Sequence, residues 1–185
     1  MIISWIVWSS WWASEFILSI SARSSARDMK GRDKGTFIIL WFIIALAVTG
    51  GVLLAIKTRY FIGSSLPVHF TGLGIIIAGM VLRFYSVSQL GRFFTVDVTI
   101  RENHELKKDG IYSLLRHPSY SGSILSFAGF GISLNNWLSL AVAFLPVLAV
   151  FLYRIHVEEK TLTDRFGEEY VEYQKNSYRL LPWIY

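Results

Sequence analysis

The stretch YSGSILSFAGFGISLNNWLSLAVAFLPVLAVFLY, residues 120–153, decides the fold. It contains two apolar runs, about Tyr120–Leu134 and Trp137–Tyr153, with only Asn135 and Asn136 between them. A membrane-spanning helix needs about 20 predominantly apolar residues, and these runs approach that length. Because so short a connection makes neighbouring helices antiparallel, the stretch predicts a tight helical hairpin in a bilayer.

Three further apolar runs precede this hairpin, at about Ile2–Ile20, Thr36–Ile56 and Pro67–Val87. Of the 185 residues, 53% are hydrophobic and 17% charged, whereas about 25% are charged in a typical soluble domain. The first run has no basic residue before it and no small-residue cleavage site after it, so it does not resemble a removable signal peptide. The sequence therefore predicts an all-α, polytopic membrane helical bundle of about five transmembrane helices.

The positions of the basic residues predict the orientation in the membrane. Fifteen of them lie after the first span, after the third span and in the C-terminal tail, whereas the opposite side has only Lys57 and Arg59. The positive-inside rule then predicts an N-terminus outside and a C-terminus in the cytoplasm. The net charge of +5 arises within residues 1–91, while residues 92–185 carry ten basic and ten acidic side chains. Topology accounts for this excess, so nucleic acid is not an expected partner.

We expect one membrane-embedded domain over residues 1–185. Its predicted parts are the three N-terminal spans with their loops (1–87), a cytoplasmic loop (88–119), the helical hairpin (120–153) and a cytoplasmic tail helix (154–185). The tail is predicted to be helical because five residues recur every four positions on one face: Arg154, Glu158, Leu162, Phe166 and Tyr170. Gly167 costs that helix about 1 kcal/mol relative to Ala and is a candidate bend.

Several kinds of chemistry find no support in the sequence. There is no cysteine, which excludes disulfides, thiolate metal ligands and a cysteine nucleophile. No HExxH motif is present, and His156 with Glu158 and Glu159 is a weak metal-binding pattern, so no metal site is expected. The Gly129–Gly131 segment lacks the third glycine of a dinucleotide-binding fingerprint and lies in an apolar run.

Three groups of residues can carry chemistry, and each also has an ordinary structural explanation. Arg116–Gly122 lies where the loop enters the fourth span and suits either a ligand site or an anchor among lipid headgroups. Arg154 and Glu158 can form an exposed helix salt bridge worth about 0.3–0.5 kcal/mol, or can face a ligand beside their apolar neighbours. Glu15, inside the first span, can pair with Arg83, unless Arg83 extends to the membrane interface.

Two ordered blocks of sequence resemble the isoprenylcysteine carboxyl methyltransferase family. The first comprises HELKKDGIY (residues 104–112) and RHPSYSG (116–122), and the second comprises EEKTLTDRFGEEYVEY (158–173) and RLLP (179–182). The resemblance covers roughly residues 83–185. It implies a membrane-integral fold that binds S-adenosyl-L-methionine, unlike the fold of soluble methyltransferases.

The resemblance also implies roles for particular residues. Arg154 is expected to face the carboxylate of the substrate and, with Glu158, to form the catalytic pair. The cofactor contacts are expected at His104, Glu105, Leu106, Lys107, Tyr112, His117, Pro118, Ser119, Tyr120 and Glu158. Glu158 suits the cationic amino group or a ribose hydroxyl of the cofactor.

The expected function is methyl transfer from S-adenosyl-L-methionine to the carboxylate of a lipidated acceptor, such as a C-terminal prenylated cysteine, giving a methyl ester. One alternative is a membrane methyltransferase that acts on an amine or another small lipid, as phospholipid N-methyltransferases do. Another is a non-enzymatic membrane scaffold whose tail helix docks a partner. The expected location is the cell membrane of a prokaryote or the endoplasmic reticulum of a eukaryote.

Overall fold

The described residues fold mainly into helices. The computed structural model describes residues 2–21, 29–30, 36–96, 99–100 and 105–183. Its helices are α1 (Ile2–Ser21), α2 (Thr36–Lys57), α3 (Ser65–Leu90), α4 (Pro118–Ser133), α5 (Trp137–Phe166) and α6 (Glu168–Lys175). Single 3-10 turns lie at Gly91–Phe93 and Gly110–Ser113, and the two-residue strands β1 (Met29–Lys30) and β2 (Thr99–Ile100) pair antiparallel, with Met29 opposite Ile100. The predicted all-α class is confirmed, with this small ribbon as the exception.

The five predicted spans correspond to α1 through α5. Among the described residues, three helical segments are long and apolar enough to cross a bilayer: Ile38–Lys57, Ser65–Phe93 and Trp137–Phe166. The protein is therefore an integral membrane protein. Helix α4 has 16 residues and spans about 24 Å at 1.5 Å per residue, which is shorter than the roughly 30 Å hydrocarbon core. Helix α1 is long enough, but it is rich in Ser and Trp, which lower its hydropathy.

The predicted boundary between the fifth span and the tail helix is wrong. Helix α5 continues without interruption from Trp137 to Phe166, so Arg154 and Glu158 belong to the same helix as the span. The sequence boundary at Tyr153 marks a change in polarity, which the backbone hydrogen bonds of a helix do not require. The actual end is Gly167, whose φ of +56° is in the left-handed region that glycine adopts easily. Tyr170, predicted on the face of Arg154, therefore lies on the separate helix α6.

Helices α3 and α4 pack at very short range because glycines face each other. A Cβ atom at Gly122 would lie 2.7 Å from the carbonyl oxygen of Gly79 and 2.7 Å from the backbone nitrogen of Arg83. A Cβ atom at Gly129 would likewise lie 2.7 Å from the carbonyl oxygen of Gly72. Small residues are the usual means by which membrane helices approach this closely. This contact fixes where α4 begins, and α4 begins with the Pro118–Tyr120 part of the predicted site.

The predicted hairpin between α4 and α5 is confirmed. Asn135 adopts a left-handed conformation (φ 51°), and the side chain of Asn136 caps α5 by accepting a hydrogen bond from the Ser139 amide at 3.1 Å. Asn136 also donates to Thr58 Oγ1 at 2.8 Å, which ties the hairpin to the end of α2. The two asparagines therefore both turn the chain and join it to a neighbouring helix.

The alternative in which Glu15 pairs with Arg83 is confirmed. Arg83 Nε lies 2.6 Å from Glu15 Oε1, and both side chains are largely buried. Arg83 also donates to Ser119 Oγ at 2.9 Å. One ion pair thus links α1 to α3 and, through Ser119, to the first turn of α4.

Candidate active site

One open cavity lies where α1 through α6 and the segments around residues 91–96 and 105–117 converge. It contains about 1390 Å³ of empty space, counting its mouth. Eight of the predicted site residues line it: Leu106, Lys107, Tyr112, His117, Ser119, Tyr120, Arg154 and Glu158. Two blocks of sequence about 50 residues apart are thus brought together around a single space.

Two other predicted residues, Glu105 and Pro118, are not part of this lining. His104 lies outside the described residues. Glu105 is exposed and does not line the cavity. Pro118 is fully buried in the first turn of α4, where its missing N–H leaves no hydrogen bond unmade. Pro118 therefore shapes the wall through the start of the helix.

Glu158 is one of two carboxylates among the described residues that line the cavity; the other, Glu15, is paired with Arg83. Its Oε2 accepts a hydrogen bond from the Tyr120 hydroxyl at 2.9 Å, and its Oε1 lies 3.8 Å from His117 Nδ1. The Glu158 side chain is 31% exposed, whereas that of His117 is 2% exposed. His117 and Tyr120 come from the start of α4, so this contact joins α4 to α5. Because His117 is buried, it does not act as a headgroup anchor.

Arg154 lies one helical turn before Glu158 and is only 1% exposed. Its guanidinium donates to the Val96 carbonyl at 2.6 Å, which holds the segment after the Gly91–Phe93 turn against α5. A buried arginine cannot form the exposed surface pair considered from the sequence. It places a positive charge in the cavity wall next to the Glu158 carboxylate.

Glu159 is the centre of a buried ionic cluster that the sequence analysis did not identify. Its carboxylate is 2.9 Å from Arg116 Nε, 2.7 Å from Arg179 NH2 and 3.3 Å from His117 Nε2. From the sequence, Glu159 is only a weak candidate metal ligand. The available signal for the cluster is the arginine that begins each of two motif segments, RHPSYSG and RLLP.

The C-terminal segment closes over the start of α4. The Arg116 amide donates to the Tyr178 carbonyl at 2.8 Å, and the His117 amide donates to the Arg179 carbonyl at 3.2 Å. Ser121 Oγ donates to the Leu180 carbonyl at 2.7 Å. These bonds align the residues around His117 with the chain more than 50 positions later, so the tail holds the cavity wall in place.

Buried phenols form much of the polar wall. Burial, followed by the nearby Glu158 carboxylate, raises the pKa of Tyr112, and burial likewise raises the pKa of Tyr173. Both phenols therefore stay protonated at neutral pH and act as donors. The Tyr173 hydroxyl donates to the Tyr112 carbonyl at 2.5 Å, which joins α6 to the Gly110–Ser113 turn.

The opposite wall is apolar and was not predicted. It is formed largely by side chains of α1, α2, α4 and α5 and of the segment after α3: Trp11, Trp12, Leu40, Trp41, Ile44, Phe93, Phe94, Phe127 and Phe151. Trp11 is central to it, with its ring 4.8 Å from that of Phe127 in an edge-to-face arrangement. The four tryptophans of α1 were the available signal, but a tryptophan-rich span is equally typical of lipid contact.

A metal centre has no support in the described part of the chain. Nowhere in it do three or more His, Asp or Glu side chains gather in a way that could hold a metal ion. The cavity instead combines acidic, basic and phenolic side chains with a large apolar surface. Such a space suits an amphipathic ligand together with a polar, cationic one.

Comparison with known proteins identifies the family. Residues 67–169 match the model of the phospholipid methyltransferase family. Protein-S-isoprenylcysteine O-methyltransferase B of Arabidopsis thaliana is 40% identical over 116 residues, which are 61% of this chain and 58% of that protein. The enzyme of the same type from Schizosaccharomyces pombe is 34% identical over 62% of this chain and 49% of its own length.

A solved structure shows the same fold. The eukaryotic intramembrane Ras methyltransferase, an isoprenylcysteine carboxyl methyltransferase, aligns with a TM-score of 0.57 and 27% identity over 80% of this chain and 51% of that chain. This chain thus spans about half to three fifths of the length of these relatives. The chain belongs to the phospholipid methyltransferase family, and its predicted resemblance to isoprenylcysteine carboxyl methyltransferases is confirmed.

Proposed function

We propose that this protein transfers a methyl group from S-adenosyl-L-methionine to the carboxylate of a lipidated acceptor, such as a C-terminal isoprenylcysteine. The observation that carries this proposal is the single cavity that joins Arg154 and Glu158 to a wall of tryptophan, leucine and phenylalanine side chains. The names of the plant and yeast relatives agree with it.

The polar end of the cavity fits a methyl donor of this class. When bound, S-adenosyl-L-methionine supplies a methyl group on a positively charged sulfur. The partly exposed Glu158 carboxylate and the ring of Tyr120 suit a neighbouring cation. We assign the remaining cofactor contacts to Leu106, Lys107, Tyr112, His117 and Ser119, and extend the assignment to His104, Glu105 and Pro118 on the resemblance alone.

Arg154 is the residue we assign to the acceptor carboxylate. It presents a permanent positive charge in the cavity wall, one helical turn from Glu158. A carboxylate bound there lies next to the donor site, while a lipid chain attached to it can extend along Trp11, Leu40 and Phe127. The apolar wall would then bind the part of the acceptor that no charged group can recognise.

The proposed reaction requires little acid–base catalysis by the protein. The bound donor would supply the methyl group: transfer to the acceptor carboxylate would break the carbon–sulfur bond and leave its electron pair on a neutral thioether, while Arg154 and Glu158 would hold the two reactants. The acceptor is already anionic at neutral pH, so no proton has to be removed. Orientation of two bound reactants can lower the activation barrier by about 7–11 kcal/mol. Arg154 and Glu158, one turn apart on α5, would hold the two reactants side by side.

We further propose that all five helices α1 through α5 lie in the membrane as a single domain. In this arrangement the N-terminus lies outside, and the loop before α4 and the C-terminal tail share the cytoplasmic side. The positive-inside distribution of charges supports this orientation. The membrane is the cell membrane of a prokaryote or the endoplasmic reticulum of a eukaryote.

The test is methyl transfer by purified protein in detergent, with labelled S-adenosyl-L-methionine and farnesylcysteine. We expect Arg154→Ala and Glu158→Ala each to lower kcat/KM about 100-fold or more, since each removes a charged contact to a reactant. Glu172→Ala and Lys175→Ala are the controls, because these residues form an exposed pair on α6. Full activity of both cavity variants would overturn the proposed function.

A second candidate is methylation of an amine or another small lipid. The match to the phospholipid methyltransferase family favours it, because that family name describes a lipid acceptor. The stability of the product label distinguishes the two: a methyl ester is released by base, whereas an N-methyl group is not. Base-stable label from a panel of lipid acceptors would favour this second function.

A further inference from the structure

Four tyrosines line the cavity, and one of them differs from the others. Tyr112 donates to a backbone carbonyl of α3 at 3.2 Å, and Tyr120 donates to the Glu158 carboxylate at 2.9 Å. Tyr173 donates to the Tyr112 carbonyl at 2.5 Å. The hydroxyl of Tyr170 has no hydrogen-bond partner among the described residues, although this side chain is only 1% exposed.

The position of Tyr170 does not depend on its hydroxyl. Its ring packs edge-to-face against that of Tyr173, with centroids 6.0 Å apart. Helix α6 is held against the loop that precedes α4 by two contacts. One is the hydrogen bond from Tyr173, and the other is the ion pair of Lys108 with Glu169 at 2.7 Å. The phenol is therefore held in the cavity wall by contacts that a phenylalanine would also keep.

The Tyr170 hydroxyl is chemically a hydrogen-bond donor. Burial, followed by the Glu159 and Glu158 carboxylates, raises the pKa of Tyr170, and Arg116 opposes this shift. The phenol thus remains protonated at neutral pH. A buried donor without a partner is destabilising, and native proteins retain few of them. A ligand that accepts a hydrogen bond in the cavity would satisfy this one.

We propose that the Tyr170 hydroxyl binds the methyl donor, by donating a hydrogen bond to an acceptor atom on its nucleoside or amino-acid portion. This inference rests on the proposed function, because it takes the polar end of the cavity as the donor site. Glu158, assigned above to the same ligand, lines the same cavity as Tyr170. The tyrosine is thus a binding residue that the resemblance did not assign.

The test compares Tyr170→Phe with Tyr173→Phe in the full chain in detergent. Titration calorimetry with S-adenosylhomocysteine, which shares the polar portions but transfers no methyl group, measures affinity. We expect Tyr170→Phe to bind it about tenfold more weakly, equivalent to 1.4 kcal/mol. Without ligand, Tyr170→Phe should melt at or above the wild-type temperature, because it removes an unpaired polar group. Tyr173→Phe should melt lower, because its hydroxyl is bonded within the protein.

Three results would overturn the proposal. Equal affinity in wild type and Tyr170→Phe would show that the hydroxyl does not touch this ligand. A ligand-free melting temperature, or a folded yield, that falls in Tyr170→Phe as in Tyr173→Phe would show that the hydroxyl has a structural partner. A folded wild type that does not bind S-adenosylhomocysteine would overturn the proposed function as well, and the wild-type titration alone identifies that case.

Discussion

Glu159 holds one negative charge among three basic side chains, Arg116, His117 and Arg179. Removing that charge leaves buried cations without their counter-ion, which typically costs about 3–5 kcal/mol in a buried pair. We therefore expect Glu159→Gln to lower the melting temperature by several degrees, measured by intrinsic fluorescence in detergent. Glu172→Gln, at an exposed position on α6, is the control and should melt like wild type. A Glu159→Gln variant as stable as wild type would contradict the role given to this cluster.

At this scale the sequence predicted which side chains meet but could not distinguish the roles of the two adjacent glutamates. Neighbouring positions on a helix point about 100° apart, so one of the pair faces the cavity and the other faces the C-terminal segment. The direction of each depends on how α5 is rotated, which no local pattern determines. Glu158 was assigned to a ligand, and the structure places it on the cavity, while Glu159 is turned toward Arg116 and Arg179.

The packing of α3 against α4 can be tested at two glycines of α3, Gly79 and Gly74, which have opposite surroundings. A Cβ atom added at Gly79 would lie 2.6 Å from the Gly122 carbonyl, whereas one at Gly74 would meet nothing within 4 Å. We expect Gly79→Ala to separate the helices and so to lower both the melting temperature and the affinity for S-adenosylhomocysteine, because α4 carries His117 and Tyr120. Gly74→Ala should be neutral or stabilising by about 0.5–1 kcal/mol. Equal behaviour of the two variants would contradict this packing.

The ion pair between α1 and α3 can be tested by a double-mutant cycle. Glu15→Gln and Arg83→Gln each leave a largely buried charge without its partner, so each should be clearly destabilising. Because the double variant leaves no unpaired charge, we expect it to lose less stability than the sum of the two single variants. Thermal melting of the four proteins measures the coupling. Additive losses would show that the two groups do not interact.

At the level of elements, hydropathy predicted the ends of α2 and α4 closely but misplaced the end of α5. The runs ending at Ser133 and Lys57 were located within one or two residues, because polar or turn-forming residues follow them. The end of α5 was misplaced because polarity changes at Arg154 while helical hydrogen bonding continues to Gly167. The contact of α1 with the cavity could not be predicted, since lipid-facing and helix-facing sides of an apolar helix look alike in sequence.

For the whole molecule, the proposed orientation can be tested directly because residues 1–185 contain no cysteine. A single cysteine at Arg59, beyond α2, or at Lys108, before α4, then gives one unambiguous label site in an exposed residue. With the protein produced in a bacterial cell membrane, we expect a membrane-impermeant maleimide to label Arg59→Cys in intact cells, and Lys108→Cys only after the membrane is opened. Arg59→Cys should retain methyl transfer, and the reverse labelling pattern would contradict the orientation.

The closure of the C-terminal segment over α4 has a consequence for the order in which the protein is made. Arg116 bonds to the carbonyl of Ser177, a residue that the ribosome adds 61 positions later. At about 5–20 residues per second, the interval is several seconds. Helices α1 to α4 can enter the membrane during that time. The hydrogen bonds from Arg116, His117 and Ser121 to the C-terminal segment cannot all form until residues 177–180 have been synthesised. Assembly of the candidate active site is therefore a late event in biosynthesis.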